Sequence, residues 1–324
     1  MTNKFLKYYA IGLILFLVIG GFAFYKLLPE PVKPITINQD PKIWYPPAIS
    51  SLINSPEAGL ILYGQDLILH TAKYLGPRGT ITAMSNGMNC GNCHLDAGTR
   101  LYGNSFAAVA STYPKFRNRS GMNESIEFRI NECFERSLNG KKLDSLSREM
   151  KAMVAYLKWL GKDVPKNIVP KGSGVPKIGT LERAADLNNG RQVYMTRCLS
   201  CHGVNGEGQL NGDSSGYTYP PIWGVHSYNV SAGIYRISAL AGFVKYNMPF
   251  TTAQTAPQLS DEEAWDVAAY VNSQQRPVKF FKQDWPKIET KPFDFPYGPY
   301  ADSISEMQHK YGPFDFAKNK RQGK

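Results

Sequence analysis

The sequence of 324 residues predicts an all-α protein in which two similar helical halves follow a helix that crosses a membrane. Three observations support this fold class. Strand-like alternation of apolar and polar residues is scarce along the chain. The order helix, C-x-x-C-H motif, long loop and capped helix occurs twice, and 29 Gly with 22 Pro favour the long loops. An uncharged apolar stretch of 18 residues lies near the N-terminus, which is the threshold length for a membrane span.

Composition and charge exclude several classes of protein. The 43% of apolar residues and the mean hydropathy of −0.33 argue against both a polytopic membrane protein and a disordered chain. The formal net charge is +11, but much of it lies in residues 1–34 and in the last seven residues. A nucleic-acid-binding protein carries its positive charge in stripes on the folded body. We therefore expect no nucleic-acid partner.

The N-terminal region has the features of a membrane anchor. Lys4 and Lys7 precede the apolar stretch, which predicts that this end stays in the cytoplasm. No Ala-x-Ala cleavage site follows, so an uncleaved anchor over residues 1–28 is favoured over a removed signal peptide. Residues 29–47 contain six prolines and are predicted to be an extended spacer. Either interpretation places the rest of the chain in the periplasm, held at the cytoplasmic membrane if the segment remains.

Two C-x-x-C-H motifs carry the strongest chemical signal. Two thiols one helical turn apart can each form a thioether to a haem vinyl group, and the adjacent histidine then binds the iron. A zinc site usually needs other ligand spacings, and a redox disulfide of the thioredoxin type needs a βαβ context that the sequence lacks. The sequence therefore predicts two covalently bound c-type haems. The motif residues are Cys90, Cys93 and His94 for haem 1, and Cys198, Cys201 and His202 for haem 2.

Helices are predicted on both sides of each motif. Residues 58–75 precede the first motif, and residues 181–197 precede the second. Ser147 is predicted to begin a helix that Gly161 ends. Ser260 begins a capping box, Ser-Asp-Glu-Glu, which predicts the start of another helix.

This order resembles the class I cytochrome c fold, present here as a tandem pair. Residues 162–180, rich in Lys, Gly and Pro, are interpreted as the linker between the halves. The predicted organisation is an N-terminal cytochrome domain over residues 48–170, a C-terminal cytochrome domain over 171–285, and a tail over 286–324.

The second half offers a clear sixth ligand for its haem iron, whereas the first half does not. Met248 lies in the loop before the last helix of the second half, where an electron-carrying cytochrome c takes its methionine ligand, although a core methionine is the alternative. Lys245 and His226 are rival ligands, with His226 more simply a loop residue. Between residues 93 and 147 the single methionine, Met122, lies in a polar stretch.

The fifth cysteine, Cys133, has no partner for a disulfide once four cysteines bind haem. It lies on a predicted helix over residues 125–138, where a period of 3.6 residues places Arg129 and Ser137 on the same face. A small buried core residue is one interpretation of this thiol. A thiolate at an iron centre is the other, because neighbouring cations lower a thiol pKa.

These residues resemble the dihaem thiosulfate dehydrogenases. The resemblance rests on both C-x-x-C-H motifs, the Arg-Ile-Asn-Glu-Cys-Phe-Glu-Arg-Ser segment around Cys133, Met248, and the tail segments Pro-Tyr-Ala-Asp and Gln-His-Lys-Tyr-Gly-Pro-Phe. The family joins two thiosulfate ions into tetrathionate and releases two electrons, and some members run preferentially in reverse. The resemblance implies that Cys133 is the distal ligand of haem 1 and that Arg119, Arg129 and Ser137 bind anions around it as the catalytic residues.

The resemblance also assigns Met248 as the distal ligand of haem 2. Some members use a lysine next to this methionine instead, but Asn247 occupies that position here, which argues against a ligand switch. Methionine ligation raises a haem potential, so electrons are expected to run from haem 1 to haem 2 and on to an external redox protein such as a small cytochrome c. The basic tail could steer such a partner.

Other functions remain open from the sequence. A membrane-anchored dihaem electron carrier without substrate chemistry is the main alternative, but that class should show a methionine ligand in both halves. A dihaem peroxidase should have its motifs farther apart, and a non-enzymatic binder of sulfur compounds is a further possibility.

Overall fold

The computed structural model describes Tyr8 and residues 43–250, 252–253 and 256–315. The predicted membrane segment, apart from Tyr8, most of the proline-rich spacer and the basic residues after 315 lie outside the described residues. Within the described ranges, no helix has both the length and the apolar character needed to span a membrane. The membrane helix in the predicted fold class is therefore unsupported, and that part of the prediction is corrected.

The described part of the first half contains five regular α-helices, besides the distorted helical segment Leu95–Gly98, in which Asp96 and Ala97 have positive φ. The five helices are α1 Ala58–Leu69, α2 Thr71–Leu75, α3 Val109–Thr112, α4 Ile126–Arg136 and α5 Arg148–Leu160. The single helix expected over residues 58–75 is broken at His70, whose φ and ψ are −124° and 39°. The next residue explains the break: the Thr71 hydroxyl donates to Leu67 O at 2.7 Å and accepts from the Cys90 backbone N–H at 3.0 Å. Thr71 thereby connects the helix to the first motif.

The described part of the second half contains four α-helices, and one more lies in the tail. They are α6 Leu187–Arg197, α7 Leu199–His202, α8 Ile237–Asn247, α9 Asp261–Ser273 and α10 Glu306–Tyr311. Helix α6 begins six residues later than predicted, because the Asp186 carboxylate caps it by accepting from the N–H groups of residues 188 and 189. Helix α8 lies in what the sequence suggested was a long loop.

The predicted caps are confirmed. Ser147 accepts from Met150 N at the start of α5, and Gly161 ends that helix. Ser260 and Glu263 form a reciprocal capping box at the start of α9.

Four short strands show that the all-α prediction was wrong. Strand β1, Lys115–Arg117, pairs antiparallel with β2, Met122–Glu124, and Lys115 lies opposite Glu124. Strand β3, Gln209–Leu210, pairs with β4, Tyr217–Tyr219. Each strand has two or three residues, which is too few for a period of two to stand out in the sequence. The first hairpin matters for function because its turn carries Arg119.

Each half has its own hydrophobic core, and the two cores share one design. Near-fully buried Leu67, Met150 and Tyr156 lie in the first, and Tyr194 and Trp265 lie in the second. In both, the helix before the C-x-x-C-H motif crosses the last helix of the half at a glycine. A Cβ atom on Gly64 would lie 2.0 Å from Ala152 O, and one on Gly190 would lie 2.0 Å from Asp266 O. Only glycine permits this backbone approach.

The segment interpreted as a linker packs against the first half. Tyr102 N donates to Gly172 O at 2.8 Å, and Asn104 N donates to Gly174 O at 3.0 Å. The buried Asn247 amide, at the end of α8, donates to Tyr102 O at 3.1 Å. The same loop therefore contacts the segment between the halves and the helix that precedes Met248. The exact domain boundaries stay a prediction.

The described part of the tail is folded against the second half. Phe314 is buried and packs on Trp265, with ring centroids 5.6 Å apart. Asp294 is fully buried, accepts from Arg236 Nε at 2.8 Å, and accepts from the Ser238 hydroxyl. Just before the tail, Trp285 N donates to Arg119 O in the turn of the first hairpin at 2.7 Å, so the stretch after α9 also contacts the first half.

Candidate haem sites and anion-binding cluster

The first C-x-x-C-H motif holds its histidine ready to bind a metal. The motif begins in the short 3-10 helix Cys90–Asn92, and His94 Nδ1 lies 2.7 Å from Asn104 O. When Nδ1 donates to that carbonyl, Nε2 is left with a lone pair for iron. The ring stacks on Phe106 with centroids 4.2 Å apart. Burial lowers the pKa of His94 to about 4, which keeps the imidazole neutral.

The second motif repeats this arrangement. His202 Nδ1 lies 2.9 Å from Pro220 O, and burial lowers the pKa of His202. Burial also raises the pKa of the Cys198 thiol to about 12. In both motifs two cysteines and an oriented neutral imidazole lie together on a short helical segment. This donor set fits a covalently attached haem in each half.

The candidate sixth ligands of the second half differ in how they are held. Met248 is half-buried and is the C-cap residue of α8, with its N–H donating to Val244 O at 2.9 Å. Lys245 forms an ion pair with Asp261, which occupies its ammonium group. His226 is exposed. Of the three, Met248 is the side chain that is neither ion-paired nor exposed, and its role as ligand stays a prediction.

Cys133 lies within electrostatic range of the first C-x-x-C-H motif. It is half-buried on helix α4. Burial raises the pKa values of Cys90 and Cys93 to about 12, and negative charge at Cys133 adds to both shifts. The same charge is the largest cause of a raised pKa at Arg129, whose charge in turn helps to lower the pKa of His94. The structure thus brings Cys133, Arg129 and the first motif into one electrostatic group.

Five charged residues form a continuous series of ion pairs beside this group, which we call the ion chain. Glu132 accepts from Arg129 Nη1 at 3.3 Å and forms an ion pair with Arg136 Nη1 at 3.1 Å. Asp284 accepts from Arg136 Nη2 at 2.6 Å and from Arg119 Nε at 2.8 Å. Four of the side chains are 6–11% exposed, and Arg129, at the end nearest Cys133, is 37% exposed.

Arg119 is connected to Arg129 and Cys133 indirectly, through the other residues of the ion chain. Its Nη2 donates to Ser231 O at 2.7 Å, and burial together with the charge of Arg136 lowers its pKa. Its contact with Asp284 links it through the ion chain to Arg129. Ser137 is the C-cap residue of helix α4, where its backbone N–H donates to Cys133 O at 2.9 Å. Sequence reasoning placed both residues in the site but did not find the carboxylates between the arginines.

Further charged groups surround the ion chain. Burial, and then the charge of Glu132, raises the pKa of Glu124, which accepts from the Ser120 hydroxyl at 2.8 Å. Burial and the charge of Arg119 lower the pKa of Lys291 to about 8. The ion pairs of Glu132 could have been predicted from the sequence, because its spacing to Arg129 and Arg136 places all three on one side of a helix. Asp284 had none.

Comparisons with known proteins agree with this architecture. Residues 187–275 match the cytochrome c family, and residues 81–165 match the family described as SoxA/TsdA, cytochrome c domain. A thiosulfate dehydrogenase of Allochromatium vinosum is 38% identical over 241 residues, which cover 72% of this chain and 87% of the relative. One of Psychrobacter arcticus is 44% identical over 205 residues, covering 63% of this chain but 61% of the relative.

A solved structure of a thiosulfate dehydrogenase is also similar to this chain. The thiosulfate dehydrogenase (TsdBA) from Marichromatium purpuratum superposes with a TM-score of 0.67 at 31% identity, over 72% of this chain and 50% of that one. The fold and the two motif sites define a cytochrome with two c-type domains, which indicate two c-type haems. The chain belongs to the thiosulfate dehydrogenase family.

Proposed function

We propose that this protein oxidises two thiosulfate ions to one tetrathionate ion, with the release of two electrons. The observation that supports the proposal is the electrostatic coupling of Cys133 to Arg129 and to both cysteines of the first C-x-x-C-H motif. A protein that only carries electrons has no need of a thiol and a guanidinium at that position. The names of the relatives support the same reaction.

The proposed site in the first half divides its work between iron ligation and anion binding. His94 and Cys133 would hold the iron of the first haem. Arg129, half-exposed at the end of the ion chain, offers N–H groups to an incoming anion. Thiosulfate is a dianion, and two of them repel each other in one pocket. Charge-assisted hydrogen bonds from guanidinium groups offset this repulsion, and the Ser137 hydroxyl can donate another.

The second half would carry electrons out of the protein. When bound, the two haems supply one-electron acceptors, one in each half. His202 and Met248 would hold the second haem, and Asn247 fixes the end of the helix before Met248 through Tyr102 O. A small cytochrome c would be the external partner, and the periplasm, where c-type haems are attached, would be the location.

The proposal is tested first on the purified holoprotein. Thiosulfate with ferricyanide measures the oxidation, and tetrathionate with a reduced dye measures the reverse reaction. Turnover in at least one direction is expected. No turnover in either direction would favour an electron carrier without its own substrate.

Cys133→Gly and Cys133→Ala test the role of the thiol. Both should keep the haem content and fold, because a single Gly in a helix costs only about 1 kcal/mol relative to Ala, and both should lose activity. A near-infrared charge-transfer band from thiolate ligation should disappear in each. Glu127→Gln, on another face of the same helix, is the matched control and should retain both properties. Full activity in either Cys133 variant would remove the thiol from the mechanism.

A further inference from the structure

Asp284 links Arg119, at one end of the ion chain, to Arg136 in its middle, although it lies outside both cytochrome-family matches. It follows helix α9 in the stretch that folds back over the first hairpin, where Trp285 N also donates to Arg119 O at 2.7 Å. One carboxylate oxygen accepts from Arg119 and the other accepts from Arg136, and the carboxylate is 8% exposed. The stretch after α9 thus places a carboxylate between two buried guanidinium groups.

This geometry is the one by which arginines bind free oxyanions. Two guanidinium groups that each donate to a different oxygen of one anion form a charge-assisted clamp. The ion chain contains three guanidinium groups and two carboxylates, so its net charge is only +1. Arg136 is 7% exposed, and within the described part of the chain its Nε has no hydrogen-bond partner. The two carboxylates therefore neutralise most of the charge of the three arginines, but Arg136 Nε keeps an N–H group without a hydrogen-bond partner in the described part of the chain.

We infer that Asp284 is a positioning residue that limits how tightly the candidate site binds oxyanions. It fixes Arg119 and Arg136, and its carboxylate occupies N–H donors that a sulfur oxyanion would otherwise take. The inference rests on the proposed function, because it concerns the same anion-binding cluster. Its consequence is that thiosulfate and tetrathionate bind weakly enough to exchange during turnover, while Arg129 stays free enough to contact them.

Removal of the Asp284 charge distinguishes this role from a purely structural one, because only the first predicts that a free anion restores stability. A buried guanidinium that loses its partner is strongly destabilised. If the carboxylate occupies an oxyanion position, a free dianion can replace it and restore stability. Binding to the folded state alone raises the melting temperature with ligand concentration. If Asp284 is only a structural contact, no anion will do so.

The experiment compares Asp284→Asn with wild type as holoproteins, using sulfate as a dianion that cannot be oxidised. Thermal unfolding is measured in sulfate and in chloride at matched ionic strength. Asp284→Asn should melt lower than wild type in chloride and should recover most of that loss in sulfate. Its KM for thiosulfate should fall several-fold, with a smaller change in kcat.

Asp294→Asn is the matched control. Asp294 is a buried carboxylate ten residues further along the chain, paired with Arg236 and Ser238 rather than with an arginine of the ion chain. It should lose stability without selective recovery in sulfate, and its KM should match that of wild type. Equal effects of sulfate on both variants, or an unchanged KM in Asp284→Asn, would overturn the inference.

A second variant covers a failure of Asp284→Asn to fold. Glu132→Gln removes the other carboxylate of the ion chain and should show the same recovery in sulfate. Absence of recovery there would refute the inference equally. The sulfate titration needs no turnover, so it stays informative even if wild type fails to oxidise thiosulfate and the proposed function falls.

Discussion

The helix crossing at Gly190 gives a stability prediction whose size follows from the structure. In Gly190→Ala the new Cβ would lie 2.0 Å from Asp266 O and 2.9 Å from Tyr270 Cβ. An ordinary contact needs about 3.4 Å or more, so helices α6 and α9 must separate by more than about 1 Å. Asp266 resists this movement, because its fully buried carboxylate binds Arg183 at 2.9 Å. Overpacking costs about 1–3 kcal/mol, and contact with rigid backbone places Gly190→Ala near the upper end.

The effect should reach the second haem site as well. Helix α6 ends at Arg197, directly before Cys198, so a displaced helix moves the motif. Thermal unfolding of the holoprotein, followed by circular dichroism, measures the loss. At about 2–4 °C per kcal/mol for domains of this size class, the midpoint should fall by roughly 5–12 °C.

Gly212→Ala is the control for this substitution, since a Cβ there meets nothing within 4 Å. It should leave the midpoint within about 1 °C of wild type, because surface changes without a special contact have small effects. A similar midpoint for the two variants would refute the close backbone approach.

Two further predictions concern the buried Asn247 amide and the half-buried Lys291 ammonium group. Asn247→Ala leaves Tyr102 O without its donor and should lower the free energy of unfolding by about 1–3 kcal/mol, as measured by urea denaturation; an unchanged midpoint would contradict the hydrogen bond. Lys291 has its pKa lowered to about 8 by burial and then by the charge of Arg119, so between pH 8 and pH 10 the unfolded chain binds more protons than the folded one. Wild type should therefore gain stability relative to Lys291→Met as the pH rises through this range, and a pH-independent difference between the two in urea denaturation would contradict the shift.

Features that depend on residues close in sequence were predictable. Both C-x-x-C-H motifs, the caps at Ser147 and Ser260, and the helix that bears Cys133 rest on contacts within about four residues. Helical periodicity alone placed Arg129 and Cys133 on one face. The break at His70 was missed because its cause, the bond between Thr71 and Cys90, spans 19 residues.

The tertiary structure decided how the candidate anion site is built. Arg119 and Asp284 are 165 residues apart, and Arg136 and Asp284 are 148 apart. No periodic pattern or local spacing links residues at such distances, so the sequence supplied the arginines without their carboxylate partners. The sequence by itself determined the haem attachment and the face that carries the thiol, because local geometry fixes both. Only the fold of the stretch after α9, by bringing the Asp284 carboxylate between two guanidinium groups, decided how much positive charge that face has left for an anion.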